Sequence, residues 1–490
     1  MVKGNGVQRE SEGVVVLPRG VHENTPGGKG PHFGQAGSGG KREGMAGTAR
    51  SNSPNRRAPV DKVRQLQRQL WMAAKRSPER RFHALYDRIA RGDVLAEAWK
   101  RVRANRGAAG VDRETLADVE AYGVERLLAE LQESLQAGDY HPLPVRRRVI
   151  PKPDGGERKL GIPTVRDRIV QQAAKLVLEP IFEADFLDAS YGYRPKRSAT
   201  AALEHIRKGF PKGYVWVLEC DIRSFFDSVE HQQVVRALEQ RVSDRRVVKL
   251  VRQWLEAGAM EDGQTHETVV GTPQGGVISP LLSNIYLHNL DRTWVEHGAG
   301  QLVRYADDGV VLCKSKAEAE AALELVRDIL AGLGLELHPE KTRIVDLREG
   351  RAGFDFLGCH FRACVSGRLL ERGIGRYYLH RWPSQRSMKR VRQKVQGLTG
   401  RNRNGVKDVR ELIRNLNPVL HGWGNYFCTG NAANKFIQLD RYVGWRLHRF
   451  LVKRHGRNLR AGQASRWTDD WFVEQGLHRL RGTIRYPEVA

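Results

Sequence analysis

Cysteine is scarce in this 490-residue chain, acidic charge is outnumbered, and long apolar runs are missing. The five cysteines, at positions 220, 313, 359, 364 and 428, form no CxxC pair and no Cys/His cluster with zinc spacing. A disulfide-stapled scaffold and a paired-cysteine zinc site are thereby excluded, and the usage fits a reducing compartment. With no apolar stretch long enough to span a bilayer and no signal peptide, the expected location is the cytoplasm. Lys and Arg number 82 against 56 Asp and Glu, giving a formal charge of +26. From Glu371 to Ala490 there are 25 basic and 8 acidic residues, so the last quarter carries most of the excess. Such asymmetry describes a polyanion-binding surface. Trp382, Trp423, Tyr426, Trp445 and Trp467 are interleaved with it, some as helix core and some free to stack on bases.

Against that background, clustered acids stand out. QLVRYADDGVVLCKS, Gln301 to Ser315, sets Asp307 and Asp308 between two runs of strand formers, with Asp308-Gly309 as a two-residue turn signal. Asp-Gly alone is an ordinary turn. A third carboxylate alters the reading: YVWVLECDI reads as a buried strand delivering Asp221 at its end. Asp227, followed by Glu230, reads as a capping box that starts the next helix. Asp221 has no such structural role. A strand-end aspartate beside a hairpin aspartate offers hard oxygen ligands suited to Mg²⁺, which bridges carboxylates to substrate phosphates. Two such ions activate a 3′-hydroxyl and stabilise a leaving pyrophosphate, so the implied chemistry is nucleotidyl transfer.

These acids lie in YADD, Tyr305 to Asp308, and DIRSFFD, Asp221 to Asp227, which resemble the palm motifs of reverse transcriptases. GTPQGGVISPLLSNIYL, Gly271 to Leu287, resembles the block between those motifs in proteins encoded by group II introns. IPKPDGGERKLGIPTVRDRIVQQA from Ile150, SYGYRPKRSA from Ser190 and NRGAAGVD from Asn105 are similar to that family's fingers and N-terminal blocks. HPEKTRIV from His338 and FDFLGCHF from Phe354 match its last palm blocks, and NPVLHGWGNYF from Asn417 resembles its maturase segment. The blocks run in family order, far beyond a chance motif match.

The resemblance implies an α+β, right-hand polymerase fold, with fingers and an antiparallel palm sheet followed by an α-helical thumb/maturase domain. Asp221, Asp307 and Asp308 are the implied catalytic and metal residues, holding two Mg²⁺ ions; Asp308 either ligates directly or serves beside the ligand or primer. In PKPDGGERK the Asp154-Gly155-Gly156 turn places Lys152 and Arg158 to face a triphosphate, and the resemblance makes them nucleotide clamps; alone they read as a solvated basic hairpin tip. Phe226 holds the place of an aromatic that blocks a ribose 2′-hydroxyl, unless it is a core ring and Phe225 lines the pocket instead. Gln274, in TPQGG, is implied to touch the incoming nucleotide or template base, with Gly275 and Gly276 allowing positive φ and close approach. Lys341 falls in a block near the active site and is otherwise a solvated loop lysine.

Five regions are expected: a disordered basic Gly-rich arm over 1–60, a helical N-terminal extension over 61–106, fingers and palm over 107–370, a helical thumb/maturase domain over 371–460, and a basic C-terminal tail over 461–490. The expected function is RNA-directed DNA polymerisation from a primer 3′-hydroxyl with dNTPs, joined to binding of group II intron RNA for splicing and mobility. The expected partners are therefore intron RNA, an RNA template with a DNA primer, and dNTPs, with no membrane and no zinc. No cysteine pair follows Asn431, so the zinc-dependent HNH endonuclease found in many relatives is not expected. Two rivals are a non-catalytic RNA-binding splicing cofactor and a domesticated reverse transcriptase used in repair or defence.

Overall fold

Apolar residues at helical spacing start the fold. In α1 (Lys62–Arg76) Val63, Leu66, Leu70 and Ala74 face inward, and Asp61 caps the helix by accepting the Val63 and Arg64 N–H groups at 3.1 and 3.0 Å. After the single turn α2 (Tyr86–Ile89), α3 (Gly92–Asn105) buries Val94, Leu95, Ala98, Trp99 and Val102. Two further amphipathic helices, α4 (Leu116–Tyr122) and α5 (Val124–Ala137), complete this end. The helices α1, α2 and α3 gather around α6 (Val165–Glu183), while α5 packs on α3 and α4; α6 is buried on nearly every side and capped by Thr164, whose hydroxyl accepts the Asp167 N–H at 3.0 Å. These positions belong to a computed structural model that describes residues 61–151, 156–261, 264–266, 275–365, 371–372, 375–400, 406 and 408–485. Lys152, Gln274 and the arm expected over 1–60 lie outside the described residues.

Between α5 and α6, β1 (Val145–Pro151) and β2 (Glu157–Ile162) form an antiparallel hairpin. β1 also pairs in parallel with β4 (Ala259–Glu261), which pairs with β5 (Gln264–His266). Helix α7 (Ala199–Gly209) leads to β3 (Trp216–Asp221) of the central sheet. That sheet runs in the order β6 (Gln301–Tyr305), β7 (Asp308–Cys313), β3 and β8 (Arg343–Asp346), with every pair antiparallel. It divides two hydrophobic cores. Leu218, Val311 and Cys313 face the core shared with the N-terminal helices, α9 (His231–Glu239), α10 (Arg245–Glu256), α11 (Ser279–His297) and α12 (Lys316–Gly332). Val217, Val310, Leu312 and Val345 face the other core. Because alternate residues are buried on opposite faces, β7 reads as one continuous apolar run.

The expected capping box does not form. Ser224 adopts φ +46°, and the short helix α8 (Phe225–Ser228) already contains Asp227. α9 begins only at His231, after an extended Glu230 whose side chain makes no cap bond. The sharp turn directly after β3 drops Phe225 into the core beside Tyr286 and leaves no room for one helix through both segments.

The second core is closed by a three-stranded sheet, β9 (Gly353–Phe356), β10 (Cys359–Val365) and β11 (Tyr377–Pro383), and by α13 (Gln385–Leu398), α14 (Val409–Phe427) and α15 (Ala433–His455). The stretch expected as a basic tail from 461 is folded as far as it is described. It contains α16 (Asp469–Glu474), buries Phe472 and Leu480 in this core, and ties back through the Leu480 and Arg481 N–H groups to Asp440 at 3.0 and 2.9 Å. Over 461–490 its four arginines are balanced by four acids, so the segment is not basic, and its apolar anchors are too widely spaced to read as a helix.

Candidate active site

The register of the central sheet brings the acids together. Asp221, the last residue of β3, pairs directly with Asp308, the first residue of β7. Asp307 is the second residue of the two-residue loop joining β6 to β7, so three carboxylates share one end of the sheet. The turn lies two residues earlier than Asp308-Gly309 suggested. Ala306 and Asp307 form the loop, Ala306 takes φ +59°, and Gly309 pairs within the strands with Cys220 and Arg304. A left-handed alanine is uncommon and has to be held from outside.

Arg304 does so. Its guanidinium, 1 % exposed, donates to both Asp291 carboxylate oxygens at 2.8 and 2.5 Å, to Asn284 Oδ1 at 3.1 Å, to Ser190 Oγ at 2.9 Å and to the Ala306 carbonyl at 2.9 Å. Asn284 in turn donates to the Gly192 carbonyl at 2.8 Å. A Cβ at Gly192 would lie 2.4 Å from the Ala306 nitrogen, so only glycine lets this loop lie against the turn. None of Arg304, Asp291, Asn284 or Gly192 is a site residue on the sequence reading. The available signal was Asn284 and Asp291, seven residues apart on one face of α11, a helix with an otherwise mostly apolar buried surface.

Lys341 proves better placed than a solvated loop lysine. Its ammonium lies 3.1 Å from Asp221 Oδ2, while the Asp221 carbonyl accepts the His338 N–H at 2.7 Å. Arg158, on β2, is close enough to oppose the rise that desolvation and then the neighbouring carboxylates impose on the Asp307 and Asp308 carboxyls. Phe225 is the core ring, and Phe226 stays half-buried with its ring centroid 5.2 Å away, nearly perpendicular. Gly275 takes φ +118° and lies so near β2 that a Cβ there would stand 2.6 Å from the Gly161 carbonyl oxygen; Gly276 takes no positive φ. The Val277 N–H bonds Gln171 Oε1 at 2.9 Å, fixing the loop between β2 and α6.

Electrostatically the end of the sheet is short of positive charge. Asp308 keeps an exposed surface, but the protein packed around the cleft desolvates it, and this, then the charges of Asp307 and Asp221, pushes its carboxyl up to about 7, with Arg158 and Lys341 opposing. Burial also raises Asp307; its own N–H and the two arginines offset this only in part. Among the described residues no three His, Cys, Asp or Glu side chains form a ready metal cage, and Lys341 holds one Asp221 oxygen. The donor set still fits Mg²⁺, which takes one or two carboxylates and completes its shell with water and substrate phosphate.

Comparison with known proteins agrees with this geometry. Residues 150–361 match the family described as reverse transcriptase (RNA-dependent DNA polymerase), and residues 388–467 match the group II intron, maturase-specific domain. Protein YkfC of Escherichia coli is 37% identical over 340 residues, covering 60% of this chain and 87% of YkfC. Group II intron-encoded protein LtrA of Lactococcus lactis is 39% identical over 212 residues, 43% of this chain and 35% of LtrA. A 91 kDa protein in the cob intron of Schizosaccharomyces pombe is 28% identical over 428 residues, 73% of this chain and 52% of that protein. The chain therefore spans only part of the latter two.

A mixed helix-and-sheet fold of this family, with paired carboxylates at the end of its sheet, defines a reverse transcriptase, an RNA-directed DNA polymerase. Within that class, the chain belongs to the group II intron-encoded reverse transcriptase/maturase family. Among the described residues no helix is long and apolar enough to cross a membrane.

Proposed function

We propose that this chain extends a primer 3′-hydroxyl with dNTPs on an RNA template at the Asp221, Asp307 and Asp308 site. The observation that carries the reading is the direct pairing of Asp221 with Asp308 beside a turn that presents Asp307. These three carboxylates would hold two Mg²⁺ ions, which supply charge neutralisation at the reacting phosphate and lower the pKa of the attacking hydroxyl. Lys152 and Arg158 bind the triphosphate, Arg158 from β2. Gln274 contacts the incoming nucleotide or the template base, a role that rests on the family resemblance of TPQGG. Phe226, the outer ring of its pair, screens the sugar for a 2′-hydroxyl. Lys341 holds Asp221 in place by its ion pair. The primer oxygen attacks the α-phosphorus and pyrophosphate leaves, with every protein group acting by position and charge.

The C-terminal helices form the thumb and bind group II intron RNA, assisting splicing and mobility. On α15 the exposed residues Arg441, Trp445, Arg449 and Lys453 recur at helical spacing, and Trp445 is 50 % exposed with the Arg449 guanidinium 5.2 Å from its ring centre. The one acid of α15, Asp440, turns inward to the Leu480 and Arg481 N–H groups, and α13 contains no acid. A basic stripe with an open aromatic suits unpaired RNA.

Primer extension on poly(rA) with oligo(dT) and Mg²⁺ tests the catalytic half. The wild type extends the primer and Asp307→Ala does not; activity that survives this substitution refutes the metal assignment. An inactive wild type that still binds intron RNA identifies a splicing cofactor instead.

A further inference from the structure

Tyr193 lies in a loop whose other members are secured on all sides. Arg194, buried, donates to both Glu183 carboxylate oxygens at 3.0 and 2.8 Å and to the carbonyls of Phe186, Leu187 and Ser190. The Tyr191 N–H bonds the Arg304 carbonyl, and the Arg304 N–H bonds the Ala189 carbonyl, each at 2.8 Å. Gly192 is pressed against the Ala306 nitrogen and bonded through its carbonyl to Asn284.

Out of this rigid frame Tyr193 projects with its backbone at φ +56° and 54 % of its surface exposed. A bulky residue in the left-handed region costs about 1–3 kcal/mol and persists where the surroundings impose it, commonly at functional sites. Only about half of the residue is covered, so little is recovered by burying the ring, and its hydroxyl makes no hydrogen bond among the described residues. The ring centroid lies 6.1 Å from that of Tyr305, the residue that opens YADD. The charges of Asp307 and Asp308 reach the phenol and raise its pKa after burial does, while Arg158 opposes them. The side chain therefore stands beside the catalytic turn, within electrostatic reach of Arg158.

We propose that Tyr193 is a substrate-positioning residue whose ring, beside Tyr305, forms an aromatic platform for the base pair at the primer terminus. This rests on the polymerase reading above and adds to it a residue and the part of the substrate it holds. The surrounding frame fixes the backbone that carries the ring before nucleic acid arrives, which lowers the ordering cost met on binding. A nucleobase or deoxyribose packed on the ring receives contact area that the free protein leaves open.

The test separates platform from scaffold. Tyr193→Gly removes the ring and relieves the left-handed strain, whereas Tyr193→Phe keeps ring and strain and removes the hydroxyl. Binding of a labelled RNA-template/DNA-primer duplex by fluorescence anisotropy, without Mg²⁺, is read beside the thermal unfolding midpoint and, with Mg²⁺, the KM for dNTP. Tyr193→Gly is expected to hold or raise the midpoint while weakening duplex binding roughly tenfold. Tyr193→Phe is expected to bind within about twofold of wild type, since stacking uses the ring face. Unchanged duplex binding in Tyr193→Gly overturns the proposal, as does a lowered midpoint, which would make the ring a packing element. Equal loss in both variants also overturns it, because the hydroxyl would then be the active group. Since the binding arm needs no catalysis, a chain that fails to polymerise would sink the polymerase reading and leave the platform separately tested.

Discussion

Removing the counter-ion of Arg304 should disturb the catalytic turn in a way that separates stability from activity. Asp291, with no exposed side-chain surface, neutralises a guanidinium that is 1 % exposed. Asp291→Asn keeps the shape and leaves the positive charge buried and unpaired, a change that costs about 3–5 kcal/mol. At about 2.1 cal/mol/K of unfolding entropy per residue, over a cooperative unit of about 200 residues, the midpoint falls by about 7–12 °C. The Arg304 bond to the Ala306 carbonyl survives in that variant, so well below its midpoint it retains most of its primer extension. Arg304→Met also destabilises, and it frees the left-handed Ala306 as well. A displacement of Asp307 by about 1 Å costs about 100-fold in rate. The double variant should cost less than the sum of the singles by about 2–3 kcal/mol, because neither buried charge is left alone. Scanning calorimetry of the four proteins, paired with single-turnover primer extension at 20 °C, reads both effects. Additive stability losses, or an Arg304→Met protein with wild-type rate, would refute the clamp.

Three further outcomes follow from the same geometry. Replacing Arg441, Arg449 and Lys453 by Ala should lower the slope of log K against log salt for single-stranded RNA by about 2, whereas Trp445→Ala should weaken binding about fivefold or more with the slope unchanged. In metal-free protein the Asp308 carboxyl is raised from 3.8 to about 7, so the stability it contributes is full below 3.8 and is lost as pH rises through 7. Mg²⁺ offsets that loss, and its effect on the unfolding midpoint should be larger at pH 8 than at pH 5.5; equal effects would show that these carboxylates do not hold the ion. Gly275→Ala puts a Cβ 2.6 Å from the Gly161 carbonyl oxygen at φ +118°, and should raise the KM for dNTP along with a destabilisation of about 1–3 kcal/mol.

Much of the central sheet is legible before folding. The apolar runs on either side of YADD and the run ending at Asp221 specify strands by composition, and each carboxylate lies where a strand ends. The turn position is not legible, because Asp-Gly is a strong local signal and the competing Ala306-Asp307 turn depends on Arg304 and Gly192 pressing from outside. The capping box at Asp227 and Glu230 fails for a similar reason: the packing of Phe225 against Tyr286 decides where the chain bends. The basic tail expected from 461 is a docked segment instead, because two widely spaced apolar side chains and two backbone bonds to Asp440 hold it.

By itself, the sequence determined the chemistry. Three acids in a basic chain, delivered by apolar strands and flanked by ordered blocks, carry the reverse-transcriptase assignment, because those properties belong to residue type and spacing. Only the tertiary structure decided which groups act on those acids. Lys341 meets Asp221 from the loop before β8, Arg304 braces the turn through Asp291 on α11, and Tyr193 is aimed from a loop more than 100 positions before YADD. Such contacts join segments that no local pattern links, and strand pairing across two buried faces is what sets their distance and direction.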